Sequence, residues 1–370
     1  MRVLAVNAGS SSLKLRLLGS ADELEATIDL GLEHGEIDEP QLRRALASMD
    51  HPDAVAHRIV HGGRRYLAPV RIDDRVVAAL RELTDLAPLH QPKALAALDA
   101  VSRALPGVPA VACFDTAFHA TLPDAAATYA LPAAWRERWD LRRYGFHGLS
   151  HAYASRRATE LTGAVRVISC HLGAGASLAA VRDGRSIDTT MGFTPLDGLV
   201  MATRPGSIDP GLLLWLLEHG QTDGSEMAKA LEHDAGLAGL AGTGDMPEIL
   251  ARASADDDQA RLALDVYLHR LRAGIAAMAA ALSGVETIAF TGGVGERAPA
   301  IRAGALAGLE FLGVRIDHAQ NDRADGDTEI TGPGSVIRVL VVAAREDLEI
   351  ARQARRILRS SPTRRTPDDE

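Results

Sequence analysis

The first segment of the chain alternates hydrophobic and polar positions with a period of two. The apolar run Val3–Val6 is followed by turn-forming residues 7–12, and the leucines of Leu13–Leu17 then alternate with Lys14 and Arg16. Because neighbouring side chains of a strand point to opposite faces of a sheet, this alternation is typical of a half-buried strand. The chain is therefore predicted to open on a strand, a turn and a second strand.

A similar unit recurs in the second half of the chain. Residues 171–177 are a glycine-containing turn between two apolar runs, Asp183-Gly184 is a hairpin-turn pair, and residues 291–296 are a glycine-rich loop after a third run. The strands predicted here are Val165–Cys170, Leu178–Val181, Thr287–Phe290 and Val336–Val342. Two strand–turn–strand units in separate halves indicate two related domains with a cleft between them.

Segments with the periodicity of amphipathic helices lie between and after these strands. They are Asp73–Leu86, Pro92–Leu105, Ser150–Leu161, Pro210–His219, Ala260–Leu282 and, near the C terminus, Asp347–Leu358. Strands that alternate with helices predict an α/β fold.

Composition and charge narrow the functional classes. The chain has 370 residues, of which 46% are hydrophobic and 24% charged, as in ordinary globular proteins of about two domains. With 40 basic and 49 acidic residues, the net charge is −9. A broad basic surface is therefore absent, and neither nucleic acid nor a membrane is an expected partner. Any phosphate or carboxylate ligand must be bound by a few positioned cations.

The cysteines and the apolar runs predict a cytoplasmic protein. Cys113 and Cys170 do not have the spacing of metal ligands, so a reducing compartment fits best. The start of the chain lacks a signal sequence, and the uncharged run Ala273–Val285 is shorter than the ~18–20 residues that span a bilayer.

The first turn has the composition of an anion site. Asn7, Ser10, Ser12 and Lys14 surround Gly9, whose small size lets the backbone approach an anion while hydroxyl and ammonium groups donate hydrogen bonds. A serine-rich hairpin turn that binds nothing is the alternative interpretation.

Two charged residues are expected at the ends of strands. Arg58 follows the apolar Ala54–Ala56 and precedes a glycine pair, so its planar guanidinium can bind carboxylate or phosphoryl oxygens. Asp115 follows the apolar run Val108–Phe114 and can hold a hydrated cation. The alternatives are a solvated arginine and a carboxylate that caps a turn.

Further polar groups occur in segments with little periodicity. His90 lies in the string LAPLHQP, His147 lies between Phe146 and Gly148, and Arg204 ends an irregular segment that begins at Thr189. Long irregular segments more often carry function than structure. The chain has no zinc-ligand spacing, Walker A string, dinucleotide-binding fingerprint or nucleophile elbow.

Together these strings closely resemble the acetokinase (acetate kinase) family of the actin-like ATPase superfamily. They are, in the family's order, NAGSSSLK, HRIVHGG, LAPLHQP, FDTAFH, RYGFHGLSH, TPLDGL and FTGGVGE. The resemblance runs from about Val3 to Arg352. It implies two ribonuclease-H-like domains with an active-site cleft between them, at residues 1–119 and 120–347. Helix 348–358 is expected to pack on the first domain, and residues 359–370 are expected to be a disordered tail.

The resemblance also implies a chemistry, namely reversible phosphoryl transfer between ATP and acetate that gives acetyl phosphate and ADP. The implied enzyme is a homodimer and depends on Mg²⁺ or Mn²⁺. A carboxylate is already a nucleophile, so the site needs positive charge and alignment rather than a strong base.

The resemblance assigns roles to individual residues. The implied catalytic residues are Arg58, Asp115, His147 and Arg204. The implied pocket for the acyl group of the short-chain carboxylate, which Arg58 also binds, consists of Val60, Leu89, Phe146 and Pro195. The implied phosphate and nucleotide ligands are Asn7, Ser10, Ser12, Lys14, His90, His171, Gly173, Gly175, Asp245, Gly293, Val294 and Gly295. The implied metal ligands, direct or through water, are Asn7, Asp115 and Glu346.

Departures from the family pattern concentrate on the nucleotide side. Ala174 replaces the usual asparagine, and Pro247 follows Met246 in the segment where the family has the arginine that stacks on adenine. The alternatives are therefore a propionate or other short-chain acyl kinase, an acyl kinase with a donor such as pyrophosphate, and a non-catalytic nucleotide-binding protein of the superfamily.

Overall fold

A computed structural model describes residues 1–9, 12–32, 37–87 and 91–360. Three residues predicted to bind ligands, Ser10, Leu89 and His90, lie outside these described residues, as do residues 361–370 of the predicted tail. The described residues form two units. Unit 1 comprises those of Met1–Phe118 and Arg345–Glu370, and unit 2 comprises His119–Ala344.

Strands and helices mix along the whole described chain, so the α/β prediction is confirmed. The strands are β1 (Val3–Ala8), β2 (Ser12–Leu18), β3 (Leu24–Gly31), β4 (Ala54–Ile59), β5 (Val70–Arg71), β6 (Ala110–Phe114), β7 (Arg166–Leu172), β8 (Ala176–Arg182), β9 (Arg185–Thr189), β10 (Thr287–Thr291), β11 (Thr328–Glu329) and β12 (Arg338–Val341). The α-helices are α1 (Glu39–Ala47), α2 (Asp74–Glu82), α3 (Gln91–Ala104), α4 (Asp124–Ala127), α5 (Ala133–Trp139), α6 (Gly148–Thr162), α7 (Pro210–Glu218), α8 (Gly224–Lys229), α9 (Gly236–Ala241), α10 (Met246–Ser254), α11 (Asp258–Ala281), α12 (Gly292–Arg297), α13 (Pro299–Leu306), α14 (His318–Asp322) and α15 (Glu346–Ser360). Short 3-10 turns cover Thr84–Leu86, Ala117–Thr121 and Glu310–Leu312, and a π-helical turn covers Ala230–Asp234.

Unit 1 is built on a sheet of six strands in the order β3-β2-β1-β4-β6-β5. In β2, Leu13, Leu15 and Leu17 are buried while Lys14 is exposed, as the alternation predicted. These leucines form a core with residues of α1 and α3, including Leu42 and Val101. The two strands predicted at the start of the chain are therefore confirmed, and they pair antiparallel.

The parallel arrangement of β1, β4 and β6 brings three polar residues to one edge of this sheet. Asn7 is the penultimate residue of β1, Arg58 is the penultimate residue of β4, and Asp115 directly follows β6. Parallel neighbours end at the same edge of a sheet, so these side chains meet there. Helix α15 contacts the same three strands and begins at Glu346, beside this edge.

Unit 2 contains a second sheet of six strands, in the order β11-β12-β10-β7-β8-β9. Strand β10 is parallel to β7 and β12, whereas β7, β8 and β9 are antiparallel neighbours. The turn between β8 and β9 has φ of +50° at Asp183 and +73° at Gly184. Two consecutive left-handed residues are what a tight hairpin of this kind requires, so the predicted turn is confirmed.

Two elements illustrate where the structure differs from the sequence prediction. Residues predicted as an open glycine-rich loop form helix α12 instead, because Gly292 adopts φ +80° and lets the chain turn directly from β10 into a helix. Strand β3 was not predicted, since only Leu30 of its eight residues is buried and the hydrophobic signal is correspondingly weak. Within the described ranges, no helix is long and apolar enough to cross a membrane.

A buried histidine in β4 gives the fold a measurable sensitivity to acid. Neither ring nitrogen of His57 has a hydrogen-bond partner among the described residues, and burial lowers its pKa from 6.5 to about 4. The unfolded chain therefore binds a proton below pH 6.5 that the folded chain does not bind until near pH 4. The protonation of His57 in the unfolded chain therefore lowers the free energy of unfolding as the pH falls through this window, by about 2 kcal/mol at pH 5.

Replacing His57 by leucine is expected to remove this loss. The difference between the free energies of unfolding at pH 8 and pH 5, measured with urea, should be about 2 kcal/mol smaller in His57→Leu than in the unmodified protein. The matched control is His51→Leu, because His51 is exposed. An equal pH dependence in His57→Leu would contradict the burial argument.

Candidate active site

Four polar residues of unit 1, termed the Arg58 cluster, are linked by hydrogen bonds: Asn7, Arg58, Asp115 and Glu346. The Arg58 Nε donates to both carboxylate oxygens of Asp115 at 3.1 Å, and its Nη1 donates to Asn7 Oδ1 at 3.0 Å. Asn7 Nδ2 in turn donates to Glu346 Oε2 at 3.1 Å. The side chains predicted from separate motifs are thus brought together at one sheet edge.

The neighbouring carboxylates of the Arg58 cluster keep Arg58 in its charged form. Burial acts to lower the pKa of Arg58, but the carboxylates of Asp115 and Glu346 outweigh it and raise that pKa above its ordinary value. The Asp115 side chain is only 2% exposed, so its charge is compensated mainly by the guanidinium. Three of the five N–H groups of Arg58 face Asp115 and Asn7. Among the residues that the structure describes, one N–H on each terminal nitrogen has no partner and is available to an anionic ligand.

The donor set of the Arg58 cluster fits a hydrated divalent cation. Among the described residues, no group of three or more His, Cys, Asp or Glu side chains could hold a metal ion by itself. Mg²⁺ is usually bound by one or two carboxylates, with water and substrate phosphates completing its coordination. Asp115 and Glu346 supply two carboxylates of this kind, joined through Arg58 and Asn7.

A second group of residues, termed the Arg204 cluster, lies in unit 2 and consists of His147, Gly175, Pro195 and Arg204. Arg204 Nη1 donates to the carbonyl oxygen of Pro195 at 2.8 Å. A Cβ atom on Gly175 would lie 2.8 Å from Arg204 Nη2 and 3.2 Å from His147 Nε2. A side chain at position 175 would therefore displace the guanidinium, so glycine lets this group and the imidazole approach the same stretch of backbone.

Arg204 has the properties of an anion receptor. Burial lowers its pKa, and the charge of Glu232 offsets this only in part. Within the described ranges, no carboxylate forms an ion pair with Arg204, whereas the nearby Arg143 pairs with Asp197 at 3.3 Å. A half-buried guanidinium without a carboxylate partner favours binding of an anionic ligand.

His147 is held in an uncommon conformation beside this cation. It precedes α6 with φ +55° and ψ +23°, a left-handed conformation that is rare outside glycine. Its Nδ1 lies 2.9 Å from Ser177 Oγ, and its ring centroid lies 4.3 Å from that of His171. His171 Nδ1 in turn lies 2.7 Å from Ser150 Oγ. Local strain of this kind is common at functional sites.

Two of the residues predicted to line the acyl pocket are apolar and buried. Val60 directly follows β4 in unit 1 and is 5% exposed, whereas Phe146 in unit 2 is 1% exposed. The carbonyl oxygen of Phe146 lies 3.0 Å from His119 Nε2, which fixes the backbone directly before His147. The pocket assignments stay predictions.

The residues predicted to bind nucleotide and phosphate are spread over both units. Ser12 and Lys14 lie in β2, Gly173 and Gly175 lie in the β7–β8 turn, and the stretch from Gly293 to Gly295 lies in α12. Asp245 is the N-cap of α10, where its Oδ1 accepts from the Glu248 amide at 2.9 Å. The structure thus gives Asp245 a capping contact, and its nucleotide role stays a prediction.

Sequence reasoning missed the partners of the histidines. Ser177 lies within hydrogen-bond distance of both His147 and His151, yet it was treated only as part of a turn. The available signal was the hairpin register, because Ser177 lies opposite His171 in the β7–β8 pair. When a polar residue of an otherwise apolar strand lies opposite a candidate histidine, it indicates a buried hydrogen-bond partner for the histidines of that site.

Comparisons with known proteins identify the family of this chain. The model of the acetokinase family matches residues 36–352. The chain is 45% identical over 320 residues to an acetate kinase of Trichormus variabilis, covering 85% of this chain and 79% of that protein. The fold is similar to the crystal structure of Porphyromonas gingivalis acetate kinase, with a TM-score of 0.88, 34% identity and coverage of 96% and 99% of the two chains. A propionate kinase from Francisella tularensis is similar with a TM-score of 0.89, 34% identity and coverage of 95% and 98%.

Proposed function

Because this chain belongs to the acetokinase family, we propose that it catalyses reversible phosphoryl transfer between ATP and acetate, which gives acetyl phosphate and ADP. The family assignment makes it a phosphotransferase whose acceptor is a carboxyl group. Similarity to a propionate kinase at 34% identity does not favour propionate, because sequence relatives that are acetate kinases reach 45%.

The observation that carries the proposal is the unpaired cation of the Arg204 cluster. Phosphoryl transfer to a carboxylate brings two anions together, so the site must supply positive charge in fixed positions. Arg204 has no carboxylate in ion-pair contact within the described ranges and lies beside His147 Nε2. We assign these two residues to the oxygens of the transferring phosphoryl group.

The Arg58 cluster supplies a second set of positioned charges. Asp115 and Asn7 orient Arg58 and leave N–H groups on both terminal nitrogens for the acetate carboxylate or the phosphoryl group. Since the acetate carboxylate is itself the nucleophile, no residue is assigned as a general base. Asp115 and Glu346 would hold Mg²⁺, which when bound neutralises charge on the phosphates.

Trapping the product with hydroxylamine tests this function. Acyl hydroxamate is expected from acetate and ATP in the presence of Mg²⁺, with acetate used at least as well as propionate or butyrate. GTP and pyrophosphate serve as alternative donors in the same assay. If no donor gives hydroxamate above the enzyme-free blank, the proposal of a catalytic protein is wrong.

The size of the acyl pocket is expected to set the preference for chain length. Val60 is a small, buried, β-branched residue, so Val60→Ala should enlarge the pocket by about two methyl groups. A hydrophobic pocket discriminates by about 1–3 kcal/mol per methylene. The ratio of kcat/KM for propionate to that for acetate should therefore rise by about tenfold or more. Val76→Ala, in the core beneath α2, is the matched control, and an unchanged ratio in Val60→Ala would exclude Val60 from the pocket.

Helix α7 supports the proposal of a homodimer. This helix has no buried residue, and its exposed apolar side chains are Leu212, Leu214, Trp215 and Leu217. A continuous apolar patch of this kind is typical of a contact with another protein molecule. We propose a second copy of this chain as that partner.

Replacing Leu214 by glutamate is expected to halve the mass measured by sedimentation. The side chain is 58% exposed, so the change should leave the fold intact while introducing repulsion across the contact. Leu67→Glu is the control, because Leu67 is similarly exposed in unit 1. A dimer of unchanged affinity in Leu214→Glu would contradict an interface at α7, and a monomeric unmodified protein would contradict the dimer.

We also propose a cytoplasmic location. Cys113 and Cys170 are both free and buried, and burial raises the pKa of both thiols. Thiols in this state are typical of proteins kept in a reducing compartment.

A further inference from the structure

Three buried side chains lie behind the half-buried His147 and form with it the histidine–serine chain: Ser169, His151, Ser177 and His147. Ser169 Oγ lies 2.9 Å from His151 Nδ1, and His151 Nε2 lies 2.8 Å from Ser177 Oγ. Ser177 Oγ then lies 2.9 Å from His147 Nδ1. Ser169, His151 and Ser177 are all fully buried, so each hydroxyl and ring nitrogen depends on its neighbours in the chain.

The hydrogen bonds of the histidine–serine chain can run in only two directions. A serine hydroxyl carries one hydrogen, so Ser177 donates either to His147 or to His151. Burial also lowers the pKa of His151 well below 6.5, which makes its ring neutral with one donor and one acceptor nitrogen. Fixing the direction at any point therefore fixes the tautomer of both histidines.

The hydroxyl of Ser169 decides between the two directions. If His147 Nδ1 were the donor, His151 Nδ1 would donate to Ser169, and the Ser169 hydrogen would have no acceptor among the described residues. In the opposite direction Ser169 donates to His151 Nδ1, His151 Nε2 donates to Ser177, and Ser177 donates to His147 Nδ1. Each hydrogen of Ser169, His151 and Ser177 that takes part in these bonds then has an acceptor. A buried donor left unpaired is costly, so the second direction is favoured.

We propose that Ser177 and His151 are positioning residues that hold a proton of His147 on Nε2, where it can donate to an oxygen of the transferring phosphoryl group. The role of His147 rests on the proposed function, but the direction of the chain does not. His147 Nε2 is the nitrogen that faces Gly175 and the Arg204 guanidinium. Neither Ser177 nor His151 is assigned a contact with substrate.

Nitrogen NMR of the protein labelled with ¹⁵N-histidine measures the tautomer directly, without substrate. The signals of His147 are assigned by their loss in His147→Asn. In the unmodified protein at pH 8, the proton is expected on Nε2. In Ser177→Ala, Nδ1 loses its donor, and we expect a mixture of the two tautomers.

Ser169→Ala is a second variant, at a residue whose hydrogen bond is to His151 rather than to His147. Because Ser169 sets the direction through His151, its loss is also expected to shift the His147 tautomer towards a mixture. The matched control is Ser155→Ala, since the buried Ser155 donates to the His151 carbonyl oxygen at 2.6 Å and does not contact the ring. Ser155→Ala should leave the tautomer of His147 unchanged.

The kinetic effect of Ser177→Ala distinguishes a positioning role from a purely structural role. Loss of a group that orients a catalytic side chain typically costs about 10–100-fold in activity. We expect this loss in kcat for Ser177→Ala, with KM for ATP nearly unchanged. The inference is overturned if the unmodified protein carries the His147 proton on Nδ1, or if both serine variants keep the unmodified tautomer. If the protein phosphorylates no carboxylate, the proposed function fails while the NMR result still decides the direction of the chain.

Discussion

Replacing Arg204 by alanine is expected to lower kcat by about 10²–10³-fold, which corresponds to roughly 3–4 kcal/mol of transition-state stabilisation. The variant removes a guanidinium that no described carboxylate neutralises by ion pairing and that Gly175 allows to lie beside His147. Arg204→Lys should recover only part of the rate, because a lysine lacks the planar pair of donors. The measurement is the initial rate of acetyl phosphate formation at saturating acetate and ATP.

Arg261→Ala is the matched control for this experiment, since Arg261 is exposed and forms only surface ion pairs with Asp256 and Asp258. Its rate should stay near that of the unmodified protein. Near-normal turnover in Arg204→Ala would show that this arginine has no part in the reaction.

Arg58→Ala is expected to lose turnover to a similar extent but also to lose stability. It leaves the buried Asp115 carboxylate without its main partner, and breaking a buried ion pair typically costs about 3–5 kcal/mol. Arg204 has no such pair, so Arg204→Ala should unfold close to the unmodified protein. The comparison of the two unfolding curves distinguishes a paired cation from an unpaired one.

Removal of divalent metal is expected to abolish transfer, and Asp115→Asn should make the enzyme depend on higher Mg²⁺. Asparagine keeps the shape of the side chain while removing one of the two carboxylates that fit the ion. Activity at low Mg²⁺ should fall by about 10–100-fold, the usual cost of a lost metal-site partner, with partial recovery at high Mg²⁺. The measurement is the rate as a function of Mg²⁺ concentration.

Asp99→Asn is the control for the metal experiment, because Asp99 is an acidic residue that pairs with Arg81 at 3.0 Å and belongs to neither cluster. Its Mg²⁺ requirement should not change. Full activity in the presence of excess chelator would contradict the metal assignment altogether.

Local hydrophobic patterns in the sequence predicted which residues meet at the ends of the strands. The period of two in β2 and the apolar runs before Arg58 and Asp115 were sufficient, because parallel strands end at a common edge. The contact of Asn7 with Glu346 could not be predicted from such patterns. The two residues are 339 positions apart, and no periodicity encodes the return of α15 to the first sheet.

The sequence prediction was weaker wherever one residue type serves two purposes. Glycines 292, 293 and 295 have low helix propensity, so their segment was predicted as a loop although it forms α12. An aspartate before a helix can cap that helix or bind a ligand, and Asp245 makes the capping contact. Ser177 lies in β8 and was missed because its partners, His151 and His147, come from α6 and its N-cap.

The proposed activity is the transfer of a phosphoryl group between a nucleotide and acetate. The most direct test is ³¹P NMR of the reverse reaction, starting from acetyl phosphate, ADP and Mg²⁺, with the unmodified protein and Arg204→Ala in parallel. We expect the acetyl phosphate signal to be replaced by the three signals of ATP, and this conversion to be about 10²–10³-fold slower in the variant. Release of inorganic phosphate without ATP, or equal rates of ATP formation in the two proteins, would contradict it.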